Sequence, residues 1–348
     1  MTLTEQTKAP PFSPHEIRRL AGACVPGFEP AGMPESLGGG LLNHVWRVPG
    51  RPAPVIAKHA PPHLASAPAV PLDPSRLRFE AHALTTLSPE GHLAGLVSEA
   101  VRPPRPLGFV PERALLFMED AGSRPDLHAW LYAATPAATI REAGTRLGAF
   151  IARLHARTLG DPMLARTFDN RAIQTTRRAV QYAAVADLLR RLGPPGAAHL
   201  AERALALGDA LLQPGRCLIM GDLWPRSILP GRDGTLRLID WEFAHFGRPL
   251  QDVAHLDAHL WMLAHRAPNA SARRRVNTFR KAFLTAYHRM LEADAPALFD
   301  DEERDLYAVH FACELLVRAA GPFQAGYLYD GLPPTDPVVR EVFLAITA

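Results

Sequence analysis

The feature that most restricts the fold of this chain is a change of hydrophobic period near residue 120. Before it, the apolar residues fall in short runs: Leu41 to Val48 after the turn-rich Gly38-Gly39-Gly40, then Pro54 to His59, Gly108-Phe109-Val110 and Ala114 to Met118. Runs of this kind, bounded by glycine and proline, read as strands, the first two as a hairpin. One helix interrupts them. Asp73-Pro74-Ser75 supplies a cap and a proline for its first turn, and Leu77, Ala81, Leu84 and Leu87 recur at helical spacing, with Glu80 beside that stripe. After Glu119-Asp120-Ala121-Gly122 the period becomes helical, through Ile140, Ala143, Leu147, Ile151 and Leu154, then Val180 to Leu192, Ala197 to Leu212, and from Leu250 nearly to the end. The expected organisation is a flexible N-terminus over 1–15, a β-rich region over 16–118, a hinge at 119–122 and a mainly helical region over 123–348.

The helical region has one exception. Cys217 to Met220 and Leu236 to Ile239 read as short strands, separated by a turn at Pro230-Gly231-Arg232-Asp233-Gly234. Acidic residues stand where these strands end: Asp222 after the first, Asp240 and Glu242 after the second, with Ser227 between them. Carboxylates at strand ends suit phosphoryl transfer, which needs a base to orient a hydroxyl and oxygen ligands to hold a divalent metal against phosphates.

Other chemistries fit less well. A length of 348 residues with 47% hydrophobic content supports a well-buried interior, and the net charge of +3 comes from interspersed signs, without the basic run of a nucleic-acid footprint. Three cysteines far apart argue against a disulfide framework or thiolate zinc, and point to a reducing, cytoplasmic setting. No apolar run nears the roughly 18 residues of a membrane span, and no patch or heptad run marks a defined protein partner. His255 and His259 are four apart, but Leu256 stands where a zinc protease has glutamate. No Gly-Lys pair offers a P-loop, and Ser36 lacks the glycine of a nucleophile elbow. The cluster Asp300-Asp301-Glu302-Glu303 reads as a solvated helix start.

The run Met220-Gly221-Asp222-Leu223-Trp224-Pro225-Arg226-Ser227-Ile228-Leu229, with Leu238-Ile239-Asp240-Trp241-Glu242-Phe243-Ala244 downstream, resembles the catalytic and metal motifs of the aminoglycoside phosphotransferase/choline kinase superfamily. Leu37-Gly38-Gly39-Gly40-Leu41-Leu42-Asn43 is similar to its phosphate-covering loop, and Val55-Ile56-Ala57-Lys58 to the strand carrying its phosphate-binding lysine. The stretch from Lys58 through Pro61-Pro62 to Arg78-Phe79-Glu80-Ala81, and Ser227 in place of asparagine, resemble methylthioribose kinase in particular. The resemblance spans about residues 35 to 265 and implies an α+β, bilobal protein-kinase-like fold: a β-rich N-lobe and a mainly helical C-lobe with a catalytic hairpin.

It also implies a small-molecule kinase using ATP and Mg²⁺, acting on a hydroxyl acceptor. In that family Lys58 would hold phosphate oxygens, Glu80 would orient the lysine, and Gly38, Gly39, Gly40 and Asn43 would cover the phosphates. Backbone around Met118, Glu119 and Asp120 would receive adenine. Asp222 would be the base, Asp240 and Glu242 metal ligands, Ser227 a hydroxyl or water-mediated metal contact, and Asp252 a structural anchor of the catalytic loop. Met220 stands where many relatives have histidine, and a catalytically weak nucleotide-binding pseudokinase or scaffold is the alternative. Trp224, Trp241, Phe243 and Phe246 read as packing or as an acceptor cage, and His245, Arg248 and Arg266 as candidate acceptor contacts.

Overall fold

A computed structural model describes residues 12–38, 42–65, 70–194 and 197–346. By contacts, the chain forms two compact units: Met1–Ser98 with Arg102–Arg124 and Arg237–Phe243, and Glu99–Val101 with Pro125–Leu236 and Ala244–Ala348.

The first unit is built on a five-stranded sheet. Its strands are β1 (Glu35–Ser36), β2 (His44–Val48), β3 (Val55–His59), β4 (Pro106–Val110) and β5 (Leu115–Glu119), in the order β1-β2-β3-β5-β4. The pairs are antiparallel, with Val45 opposite Lys58 and Lys58 opposite Leu116. Side chains alternate across a strand. On β3 this sends Val55 and Ala57 into a core with Trp46, Val48, Leu115 and Phe117, closed by Ile17, Leu20 and Ala21 of helix α1 (Pro14–Cys24). Helix α1 is capped by the Ser13 side chain on the Glu16 N–H and starts within the stretch 1–15 expected to be flexible. Lys58 points to the opposite face of the sheet, where α2 (Arg76–Thr86) brings up Glu80. The Asp73-Pro74-Ser75 signal is a turn rather than a cap: Asp73 Oδ1 accepts the Ser75 N–H at 2.8 Å, and the helix begins one residue later.

The second unit is mainly helical. Its framework pairs α3 (Ala137–Arg157) with the long helix Ala270–Asp294, and these backbones approach closely because α3 carries Gly144 and Gly148 at the contact. A Cβ on Gly148 would stand 2.2 Å from the Phe283 carbonyl oxygen, so only glycine fits. The helix read from Val180 is longer and less regular than its periodicity suggests. It starts as α4 (Arg171–Arg177), passes through a π-turn at Arg178–Ala183 and continues as α5 (Ala184–Leu192). The wider turn re-aims side chains, and Gln181 and Tyr182 become buried. Next comes α6 (Ala197–Ala210).

The two predicted short strands exist, but they are not partners of one another. Strand β6 (Cys217–Ile219) pairs antiparallel with β9 (His245–Gly247), a strand the sequence reading missed. The hairpin is instead β7 (Ile228–Pro230) with β8 (Leu236–Leu238), closed by Gly231 N–H on the Thr235 carbonyl and by Gly234 at φ +74°. Three-residue strands show too little alternation for sequence periodicity to separate these pairings. Beyond them run α7 (Pro249–His265), α8 (Ala270–Asp294) and α9 (Asp301–Ala319). Asp300 caps α9 as expected, but Glu303 is no solvated residue: it is fully buried, 2.9 Å from Arg248 and 3.4 Å from Arg216. Among the described residues, no helix is long and apolar enough to cross a membrane.

Candidate active site

In the first unit, strand β3 and helix α2 position a lysine among carboxylates. Lys58 Nζ lies 2.7 Å from Glu80 Oε2, 2.6 Å from Asp240 Oδ1 and 3.5 Å from Glu242 Oε1. Burial alone would lower its pKa, but the three carboxylates outweigh burial and hold Lys58 well above the usual lysine range. Burial pushes Glu80 up to about 7 against the pull of Lys58, and Asp240 and Glu242 add to the rise.

Asp240 and Glu242 differ in their surroundings. The Asp240 side chain is 41% exposed, with only Oδ1 given to Lys58, and its backbone is left-handed at φ 64°, a region that aspartate tolerates better than most residues. Glu242 is 4% exposed and bound on both oxygens: Oε1 accepts from Asn43 Nδ2 at 2.5 Å, and Oε2 from Arg76 Nε at 2.7 Å. Burial would raise its carboxyl, but Lys58, Arg76 and Asn43 hold it below the usual range. Of the expected metal ligands in this unit, then, Asp240 keeps an open oxygen, while Glu242 is anchored in the interior.

Arg76 is the residue that sequence reasoning missed. It is fully buried, and besides Glu242 it donates to the carbonyls of Pro61, Asp73 and Leu42 and to Asn43 Oδ1 at 2.9–3.1 Å. It stands four residues before Glu80, one turn up the same helix face, and that spacing was the available signal. Asn43, expected to cover phosphates, is held at the start of β2 by Arg76 and Glu242. Gly38 is exposed with open space where a side chain would stand, and Gly39 and Gly40 lie outside the described residues.

The cluster sets three carboxylates (Glu80, Asp240, Glu242) against two cations (Lys58, Arg76). An excess of negative charge in a buried setting raises carboxyl pKa values, as at Glu80, and suits an added cation. No group of three or more His, Cys, Asp or Glu side chains among the described residues forms a self-sufficient metal site. Magnesium needs none, because it takes one or two carboxylates and completes its shell with phosphates and water. The donor set around Asp240 fits that ion.

In the second unit, Asp222 follows Gly221, whose φ of +80° makes the sharp turn out of β6. Asp252, fully buried on α7, accepts the N–H groups of Met220 at 2.7 Å and Gly221 at 2.8 Å. Burial opposes its charge, but His155 and those two donors outweigh burial and hold Asp252 below its usual range. Asp222 is set on one side by Arg177, which reaches the Gly221 carbonyl at 2.6 Å and Asp222 Oδ1 at 3.1 Å. Burial pushes Asp222 above the ordinary aspartate range, against the pull of Arg177 and Arg318. A carboxylate with a raised pKa is a better proton acceptor. Ser227, expected at a metal, is fully buried: its hydroxyl lies 2.8 Å from the Trp224 carbonyl and 3.3 Å from that of Asp222, and accepts the Trp224 N–H. The side chain shapes the loop that follows Asp222.

The other candidates divide similarly. Met118 is buried; Glu119 is held by Arg102 at 2.6 and 2.8 Å, and Asp120 by Arg47 at 2.6 and 3.2 Å, so both of these side chains are taken up by arginines of the first unit. Arg248 is taken up by Glu302 and Glu303, Arg266 donates to the Leu328 carbonyl, and His245 is buried on β9. Trp241 and Phe246 are core, whereas Trp224 is half-buried with Arg226 and Arg318 within 5.5 Å of its ring centre.

Comparisons with known proteins give the chain a family and relatives. A model described as "Phosphotransferase enzyme family" matches residues 35–304. A 4-hydroxytryptamine kinase of Psilocybe cyanescens is 29% identical, and one of Psilocybe cubensis 26%, each match covering 73% of both chains. A solved glucosamine kinase in complex with glucosamine, ADP and inorganic phosphate has 19% identity and a TM-score of 0.53, over 92% of this chain and 80% of its own. Another glucosamine kinase structure gives 19% identity and 0.54, over 93% and 76%. At such identities the solved structures speak to the fold, which is kinase-like.

Proposed function

The chain belongs to the phosphotransferase enzyme family, and from that premise we propose that it is a small-molecule kinase, moving the γ-phosphate of ATP to a hydroxyl with the help of magnesium. The observation that carries the reading is Lys58, buried and clamped between Glu80 and the half-open Asp240. A fully buried ammonium among carboxylates costs several kcal/mol in desolvation, and a role in gripping phosphates accounts for keeping it there. The two 4-hydroxytryptamine kinases, whose named acceptor bears a hydroxyl, support the acceptor class.

In this reading Lys58 grips phosphate oxygens, Glu80 keeps the ammonium charged and aimed, and Asn43 steadies the loop that covers the phosphates. Asp240 would hold magnesium through its free oxygen, and the ion would supply positive charge to the phosphates. Asp222 takes the proton of the acceptor hydroxyl as that oxygen bonds to the γ-phosphorus; the bond from phosphorus to the β,γ-bridging oxygen breaks, and ADP leaves with its electron pair. Arg177 and the Asp252 anchor hold the base in place for this step. With Ser227 spent in the loop and Glu242 in the interior, a single metal is the number the side chains suit.

Removing the base tests the reading. Asp222→Asn should lower kcat by about 10²–10⁴, the usual contribution of a positioned acid or base, while calorimetry shows ATP binding unchanged. Asp240→Asn should abolish the magnesium dependence of that binding. Turnover by Asp222→Asn within a factor of a few of wild type would refute the assigned base, and wild type that binds ATP without consuming it with any acceptor would support the pseudokinase alternative.

A further inference from the structure

The surroundings of Asp222 in the second unit are rich in guanidinium. Arg177 touches Asp222 directly, and Arg318 acts on its charge from further off. Arg226 and Arg318 stand 5.5 and 4.9 Å from the ring centre of Trp224, two residues beyond the base, and 5.6 and 5.7 Å from that of Tyr327. These rings are already occupied by the protein's own cations, which argues against their caging a quaternary ammonium.

The neighbouring carboxylate is unavailable as well. Glu314 is 4% exposed, with Oε1 bound by His259 and by Arg318 Nε at 2.9 Å each, and Oε2 by Gln181 at 2.6 Å. Three of the roughly four acceptor positions of this carboxylate are already taken, and its burial leaves it out of reach of an incoming ammonium. Arg318 is the converse case. Its Nε is spent on Glu314, but its two terminal nitrogens make no hydrogen bond among the described residues and are not among the atoms sealed from solvent. The side chain is only 13% exposed, held by Glu314 and stacked near Trp224, Phe323 and Tyr327. A planar fork that is preorganised, desolvated and unfilled is built for two oxygens of an anion.

Resting on the kinase reading above, we propose that the acceptor is a hydroxy acid, whose carboxylate is seated by the terminal nitrogens of Arg318 beside Trp224 and Tyr327 while its hydroxyl is presented to Asp222. Arg226, which spends one nitrogen on the Gly326 carbonyl, adds positive charge to the same seat. The same fork would also suit oxygens of the phosphoryl group in flight, and kinetics separates the two sources.

The test uses the full chain with ATP and magnesium, reading ADP release from matched acceptors: 4-hydroxyphenylacetate against 4-hydroxyphenylacetamide, gluconate against glucose, and the cations choline and glucosamine. The expected result is an acid whose kcat/KM exceeds that of its uncharged counterpart by about tenfold or more, with Arg318→Gln raising its KM about tenfold at little change in kcat, as loss of uniform binding requires. Arg318→Lys, which keeps a charge beside Glu314, guards against misfolding and should show the same KM effect, with melting curves as a check. Preference for choline or glucosamine, or no acid outperforming its counterpart, overturns the proposal. So does a fall in kcat with KM unchanged, which would place Arg318 on the phosphoryl group. Should wild type fail to bind ATP, the kinase reading falls separately. Calorimetry of 4-hydroxyphenylacetate without nucleotide then decides the seat: heat lost in Arg318→Gln supports it, and no heat on wild type refutes it.

Discussion

Replacing Arg76 by methionine should loosen a defined part of the first unit. The guanidinium is fully buried and donates to Glu242 Oε2 at 2.7 Å, to Asn43 Oδ1 at 3.0 Å, and to the carbonyls of Leu42, Pro61 and Asp73. Methionine fills similar space but takes from the buried Glu242 charge its 2.7 Å guanidinium partner. Removing one partner of a buried pair costs about 3–5 kcal/mol. Because the chain forms two units, one global unfolding energy is a poor measure, and amide hydrogen exchange over residues 42–62 reads the local value instead. A loss of about 3 kcal/mol corresponds to exchange faster by roughly a hundredfold, with residues 253–263 of the second unit as an unchanged control. The double variant Arg76→Met/Glu242→Leu removes both charges and should recover about 1–3 kcal/mol of coupling. Exchange rising by less than about fivefold, or equally in the control segment, would refute the role assigned to Arg76.

Gly221→Ala forces a side chain into φ +80°, a strain of about 1–2 kcal/mol, and displaces Asp222; kcat should fall while ATP affinity, read by calorimetry, holds. Asp240→Ala should melt lower than Asp240→Asn, since asparagine accepts the left-handed backbone at φ 64° and alanine does not; equal melting temperatures would contradict this. Acid should destabilise the second unit. Burial holds His255 at about 3, far below its unfolded value, so between pH 6.5 and 3 the unfolded chain binds a proton that the folded chain refuses. Stability therefore falls as pH drops below 6.5, by about 2 kcal/mol at pH 5 from His255 alone, and His310, likewise lowered by burial, adds to it. Urea melts that stay flat from pH 7.5 to 5 would refute the assignment.

Local pattern carried much of the architecture. Short apolar runs bounded by glycine and proline marked the strand Val55–His59, helical spacing placed Glu80 on α2, and Asp222 was legible as a carboxylate just beyond a short strand. What stayed hidden has one physical origin: partnership across long sequence separation. Nothing near Glu242 tells that both its oxygens go to Asn43 and Arg76, 199 and 166 residues upstream. Nothing near Ser227 tells that its hydroxyl turns inward to the loop. The pairing of β6 with β9 escaped for a related reason, because the three residues His245–Gly247 show too little alternation to read as a strand. Arg318 and Glu314 were legible as a pair four apart on a helix, yet their place beside Asp222 depends on how α9 packs.

The short segment Arg237–Phe243 groups with the first unit although more than a hundred residues of the second precede it in the chain. Any recombination that exchanged only the residues up to Arg124 with those of another family member would therefore import a foreign lysine, helix and asparagine, yet leave the resident Asp240 and Glu242 to receive them. Lys58, Arg76, Glu80, Asn43, Asp240 and Glu242 make one interlocked inheritance, written in two distant passages of the gene. A working chimera must carry both.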